Sequence, residues 1–236
     1  MMKKRLVLVW LAATLAALVA LAPVSLLVNA PGVSGLLSAQ AASGTVWSGR
    51  LRRAAVAGAP IGDLALGVSP SGLLTGRVAL RVRRLDAPGA ATLLLSGVDR
   101  GVRGLSLRTP ADLDRAGMAM PGVIIFESVD AVFKEGRCAR AGGRIIFQSA
   151  PGEGPSLGAL SGSPKCQGES WVVTLDGAGT EPGTSLTARI DARSIQLTLD
   201  VRTTDPVLLE ALQAQGLKRS ATGARQATSI RLPPSA

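Results

Sequence analysis

Residues 73–89 read LLTGRVALRVRRLDAPG. Arg77, Ala79, Arg81 and Arg83 fall at every second position, with Val78, Leu80 and Val82 between them. A period of two puts the arginines on one face of a strand and the aliphatic residues on the other, so the strand has one wet face. Ala87-Pro88-Gly89 closes the stretch with a turn. The same grammar repeats on both sides. Upstream, Gly44 to Gly49 runs into Leu51 to Ala57, and a turn at Gly58-Ala59-Pro60 leads to Ile61 to Val68. Downstream, Ala91 to Val98 and Val102 to Leu107 flank Asp99-Arg100-Gly101. Turns recurring roughly every eight to twelve residues predict an antiparallel meander.

Further strands are predicted at Val123 to Val132, Arg144 to Phe147 and Ser170 to Asp176, with Leu186 to Ile190 and Ile195 to Val201 as a closing pair. Gly152 to Gly162 reads as a loop. Two short helices interrupt the pattern. Thr109-Pro110-Ala111-Asp112 has the order cap, proline, acid, and Gly117 would stop that helix. The second is capped by Thr204 or Asp205, starts at Pro206, carries Leu208, Leu209 and Leu212 as its apolar stripe and ends at Gly216. The tail from Lys218 is mostly polar, with one edge strand predicted near Thr228 to Leu232. Three Trp, three Phe and no Tyr serve the whole chain, so the core rests on Val, Leu, Ile and Ala, which suits many packed strands.

The N-terminus is of a different kind. Lys3, Lys4 and Arg5 precede an uncharged apolar run from Leu6 to Val28. As a helix it would be about 35 Å long, enough to cross a hydrocarbon core of roughly 30 Å. The expected organisation is a basic cytoplasmic segment at 1–5, a transmembrane signal anchor at 6–28, a small-residue connector at 29–43 and a β domain at 44–236 on the far side of the membrane. Ala20-Leu21-Ala22 and Ala39-Gln40-Ala41 are the sites at which a cleaved signal peptide would end instead. Cys138 and Cys166 fit an exported domain, where an even pair of cysteines is read as a disulfide.

Several chemistries are excluded by composition. The chain has no His, so it holds no Ser/His or Cys/His nucleophile and no imidazole metal ligand. Two cysteines without histidine do not complete a four-ligand zinc site. Ser128 and Lys134 lie about 20 Å apart along an extended segment and do not form a dyad. Asp112 and Asp114 are explained as helix-start acids. The glycines sit at strand ends, not in a phosphate-binding loop. No catalytic residue, metal or cofactor is expected. Charge is uneven: residues 31–110 carry ten arginines and three acids, whereas 111–236 carry thirteen bases and thirteen acids. Arg77, Arg81 and Arg83 form a basic face suited to anionic head groups or an acidic partner, or simply to water. Nucleic acid is not expected, because no aromatics are interleaved for base stacking.

The segments Gly44-Thr45-Val46-Trp47-Ser48-Gly49, Gly72-Leu73-Leu74-Thr75-Gly76, Gly136-Arg137-Cys138 and Pro164-Lys165-Cys166-Gln167-Gly168, in that order after an apolar N-terminal run, resemble protein N of the type II (general) secretion pathway. The resemblance covers most of residues 1–203. It implies a non-enzymatic, single-pass bacterial inner-membrane protein with a periplasmic, mainly antiparallel and twisted β-sheet domain. It also implies an accessory role in the assembly platform that exports folded proteins through an outer-membrane secretin, with other platform subunits as partners and no small-molecule substrate. Trp47, Cys138, Cys166 and Trp171 are the residues carried over; the two indoles read as core or partner anchors. The rival reading is a periplasmic lipid-handling protein similar to AsmA-like modules, whose apolar groove would be lined by residues such as Leu64, Leu66, Leu93 and Leu95.

Overall fold

The computed structural model describes residues 10, 14, 17, 18, 20–29, 37–56, 59–69, 72, 76, 78–95, 99–112, 121–149, 159–177, 183–191, 194–214 and 216–231. Two compact units divide the chain, one of residues 1–88 and one of residues 89–234. Both are built on antiparallel β-sheet, as the alternating sequence predicts.

The first unit contains β1 (Leu37–Ser38), β2 (Ala41–Thr45), β3 (Ser48–Val56), β4 (Ala59–Val68) and β5 (Ala79–Arg84), with β3 hydrogen-bonded to β1 and β2 on one edge and to β4 on the other. β5 pairs with β4. Register puts Leu51 opposite Leu64 and Leu66 opposite Val82, which gathers the aliphatic side chains on one face; Leu51, Leu64, Leu66 and Leu80 are buried. β1 and the start of β2 fall within the stretch read as connector. Ala41 and Ala42 have little strand propensity of their own, and the ladder to β3 overrides it. Residues 73–75 and 77, read as the first half of the β5 strand, lie outside the described residues.

The expected continuous span over 6–28 is corrected at its C-terminal end. Pro23 bridges Thr45, the Val24 amide donates to the Gly44 carbonyl at 3.1 Å, and the Val46 amide donates to the Ala22 carbonyl at 2.9 Å. Proline at 23 has no amide to continue a helix, and the chain turns into extended backbone there. Val24 is fully buried over Gly49, where a side-chain carbon would come within 2.9 Å of the Val24 Cβ. The one-turn helix α1 (Ser25–Val28) follows. Among the described residues no helix is long and apolar enough to cross a membrane; residues 6–9, 11–13, 15, 16 and 19 lie outside them.

The second unit runs β6 (Gly89–Leu95), β7 (Asp99–Asp112), β8 (Pro121–Lys134), β9 (Arg137–Ser149), β10 (Ala159–Gly162), β12 (Ser170–Gly177), β13 (Gly183–Ile190), β14 (Ser194–Arg202), β16 (Gly223–Arg231) and β15 (Lys218–Ser220) in spatial order, with β11 (Lys165–Gln167) paired to β12. Its core follows the register. Ile124, Phe147 and Leu160 stand in one row, and Leu175, Leu186 and Leu199 in another. Helix α2 (Pro206–Ala214) covers this face with Leu212, helped by Leu208 and Leu209 and by Leu217 just beyond the helix. Its ends match the sequence reading: the Asp205 Oδ1 accepts the Val207 amide at 2.9 Å, Gly216 takes a φ of 90°, and the Leu217 amide donates to the Leu212 carbonyl at 3.1 Å. On the opposite face Thr174 and Thr187 share a hydrogen bond of 3.2 Å.

Three expectations for this unit are corrected. Thr109 to Asp112, read as a helix start, is the end of β7, paired in register with Pro121 to Ile124; the long ladder outweighs a local capping signal. Residues 113–120 lie outside the described residues. Ala159–Gly162, read as loop, is a strand because Leu160 is fully buried opposite Phe147; residues 151–158 lie outside the described residues. The polar tail supplies β16, which pairs with β14 along nine residues and with β15 on its other edge, so it is an interior strand.

Candidate functional site

The cysteines meet where two hairpin tips come together. β8 returns into β9 through Glu135-Gly136, whose φ values of 52° and 80° are those of a two-residue turn matched to strand twist. β11 returns into β12 through Gly168-Glu169, and Cys166 stands opposite Trp171. Cys138 and Cys166 form a disulfide with their Cα atoms 5.5 Å apart. The Cys138 amide also donates to the Glu169 carbonyl at 3.1 Å, so a backbone bond and a covalent bond tie the same tips. Arg137 and Glu169 pair at 3.2 Å, but both are mostly exposed and the pair contributes little.

Below the disulfide lies a polar knot that the sequence reading missed. The Asp130 carboxylate accepts the Gly104 amide at 2.8 Å and the Arg140 Nε at 2.6 Å, while its backbone carbonyl accepts the Trp171 Nε1 at 3.1 Å. One residue of β8 therefore fastens β7, β9 and β12. Bulges make the geometry possible, because the register shifts in β8 between Glu127 and Asp130, where Ser128 takes a φ of 49°. On β9 the matching position is Gly143, with a φ of 87° and room for no side chain: a Cβ would come within 2.7 Å of the Glu127 carbonyl oxygen. Gly143→Ala is expected to cost about 2 kcal/mol through backbone strain and this close approach, measured as a shift in the urea midpoint.

Burial pushes the Asp130 carboxyl up, but the Gly104 amide and the Arg140 guanidinium outweigh it and hold the group below its ordinary value of 3.8. A carboxyl lowered on folding adds stability above its unfolded pKa and loses it as the pH falls through the folded value. Asp130→Asn is thus expected to be less stable than the parent by about 1–2 kcal/mol at neutral pH, with the gap closing in acid below 3.8. Unfolding curves of both proteins across that range check it; a gap independent of pH would show that the carboxylate charge is not involved.

Trp171 is 5 % exposed and belongs to the core. Trp47 sits half-buried in the β2–β3 turn, beside the Val46 amide that binds Ala22. Trp47 belongs to the first unit and Trp171 to the second. Arg81 and Arg83 are exposed on β5, and Arg77 lies outside the described residues. Among the described residues no group of three or more Cys, Asp or Glu stands close enough to hold a metal ion.

A disulfide-tied β unit following an apolar run matches the motif order that resembled protein N, and comparison with family descriptions agrees. The family of type II secretion system (T2SS) protein N matches residues 13–228. The chain belongs to that family. Comparison with curated proteins and with solved structures returns no match. Membership makes this T2SS protein N chain a component of protein secretion, associated with other components of the type II system. The matched span takes in both units, the disulfide and the Asp130 knot.

Proposed function

We propose that the chain is a non-enzymatic scaffold of the type II inner-membrane platform, inserted by its N-terminal apolar residues and displaying both β units in the periplasm, where it binds other platform subunits and supports secretin-dependent export. The observation that carries this reading is the family match over residues 13–228. The Cys138–Cys166 bond supports the compartment, because such bonds persist in oxidising surroundings. An anchor ending before the Pro23 bridge would comprise residues 6–21, about 24 Å as a helix, shorter than a hydrocarbon core of roughly 30 Å and accommodated by local thinning and by Lys3, Lys4 and Arg5 snorkelling beside it. Of the four residues named for the lipid-groove alternative, Leu64 and Leu66 are buried, which counts against it, while Leu93 is half-buried and Leu95 is 42 % exposed.

The test is crosslinking of the full-length protein in its membrane, followed by purification and identification of what is attached. Secretin or platform subunits are expected, and they should be lost from a Cys138→Ser/Cys166→Ser variant. Recovery of phospholipid or lipopolysaccharide alone would sink the scaffold reading.

A further inference from the structure

The first unit presents an array of arginines on the side of its sheet away from its core. Arg50 and Arg52 on β3 and Arg81 and Arg83 on β5 are all exposed, and their neighbours Leu51 and Leu80 are buried on the other side. The register lays out this face. Arg50 stands between Ser43 and Ala65, and Ala65 stands opposite Arg83; Arg81 stands opposite Gly67, and Arg52 opposite Ala41. Arginines two strands apart are therefore separated by about 10 Å over a floor of Ala, Ser and Gly, and those two residues apart by about 7 Å. Asp63 is the carboxylate among them, and its Oδ1 accepts the Arg53 amide at 2.8 Å. Nearby Arg84 is different in kind, being mostly buried and paired with Asp86 at 3.2 Å.

We infer that this face lies on the anionic phospholipid surface of the membrane in which the chain is anchored. Two observations select a lipid surface over an acidic protein. The floor is made of small residues, with cations spread in two dimensions on β3 and β5 and, among the described residues, none of the four paired to a carboxylate as Arg84 is to Asp86. The unit also has no slack from the apolar run, since residues 22–24 are hydrogen-bonded to residues 44–46 at the β2–β3 turn. A unit held that close to the bilayer stays within the roughly 8–10 Å over which surface charge is felt. Each cation near such a surface biases the bound orientation by roughly five-fold, so four act together strongly. This inference rests on the anchor proposed above.

The full chain is incorporated into vesicles of phosphatidylcholine alone or of phosphatidylcholine with phosphatidylglycerol, and exposed arginines are modified with a dicarbonyl reagent and read by peptide mass. Modification of Arg50, Arg52, Arg81 and Arg83 is expected to be several-fold slower in the phosphatidylglycerol vesicles, with the rate restored by high salt. Equal rates in the two vesicle types overturn the inference; protection by soluble polyglutamate in that case would give the face to an acidic protein. Flotation with the neutral vesicles tests the anchor separately, because it depends on the apolar run and not on the arginines.

Discussion

Replacing Cys138 and Cys166 together by serine is expected to lower the unfolding free energy of the 89–234 unit by about 3–4 kcal/mol, the loop-closure entropy returned to the unfolded chain when a bond of sequence separation 28 is removed. The native state contributes to the loss as well. β11 is three residues long and is held to β12 by its ladder, with one further backbone bond from the Cys138 amide to the Glu169 carbonyl. Once the bridge is gone these tips are free to separate, while the core around Phe147, Leu160 and Leu186 keeps its packing. The expected result is a lower urea midpoint for the full chain in detergent, and wild-type protein treated with a thiol reductant should follow the same curve. A shift under about 1 kcal/mol would show that the unfolded chain is already constrained and that the bridge is dispensable to the fold.

What was legible in the sequence were features whose signal is local. The alternation of Arg81, Val82 and Arg83 with Leu80 marks β5, and Asp205, Pro206 and Gly216 mark both ends of α2. What escaped was decided by partners distant in the chain. Ala41–Thr45 carries no strand signal and becomes one only because β3 returns beside it. Thr109 to Asp112 carries a good helix signal and loses it to a register partner at 121–124. Pro23 lay inside the apolar run read as one span, and its hydrogen-bonded neighbours at 44–46, which end that run, were not visible in the sequence. The Asp130 knot shows the limit most sharply. A single carboxylate between Val129 and Ala131 has no periodicity, and its importance comes from Gly104, 26 residues earlier, and Arg140, 10 residues later. The disulfide was legible because cysteine chemistry needs only a pair and a compartment.

Trp171→Ala is expected to cost about 3–5 kcal/mol, whereas Trp47→Ala should cost no more than about 1 kcal/mol, although the sequence treats the two indoles alike. Trp171 lies under the disulfide-tied tips at 5 % exposure, packed with Val129 and Val173 in the same cluster, and donates its indole N–H to the Asp130 carbonyl. Truncation there opens a cavity and leaves a part-buried carbonyl without its donor. Trp171→Phe separates the two effects: it keeps most of the packing, drops the donor and should fall between wild type and alanine, near 1–2 kcal/mol. Trp47, half-buried at a turn, gives up less apolar contact. Unfolding followed by circular dichroism, which does not depend on the indoles, ranks the three variants. Equal losses for Trp47→Ala and Trp171→Ala would contradict the burial difference. With its fold nearly intact, Trp47→Ala is the cleaner probe of partner binding. Loss of crosslinked platform subunits in that variant, at unchanged stability, would make Trp47 a partner anchor, and full recovery would confine it to the β2–β3 turn.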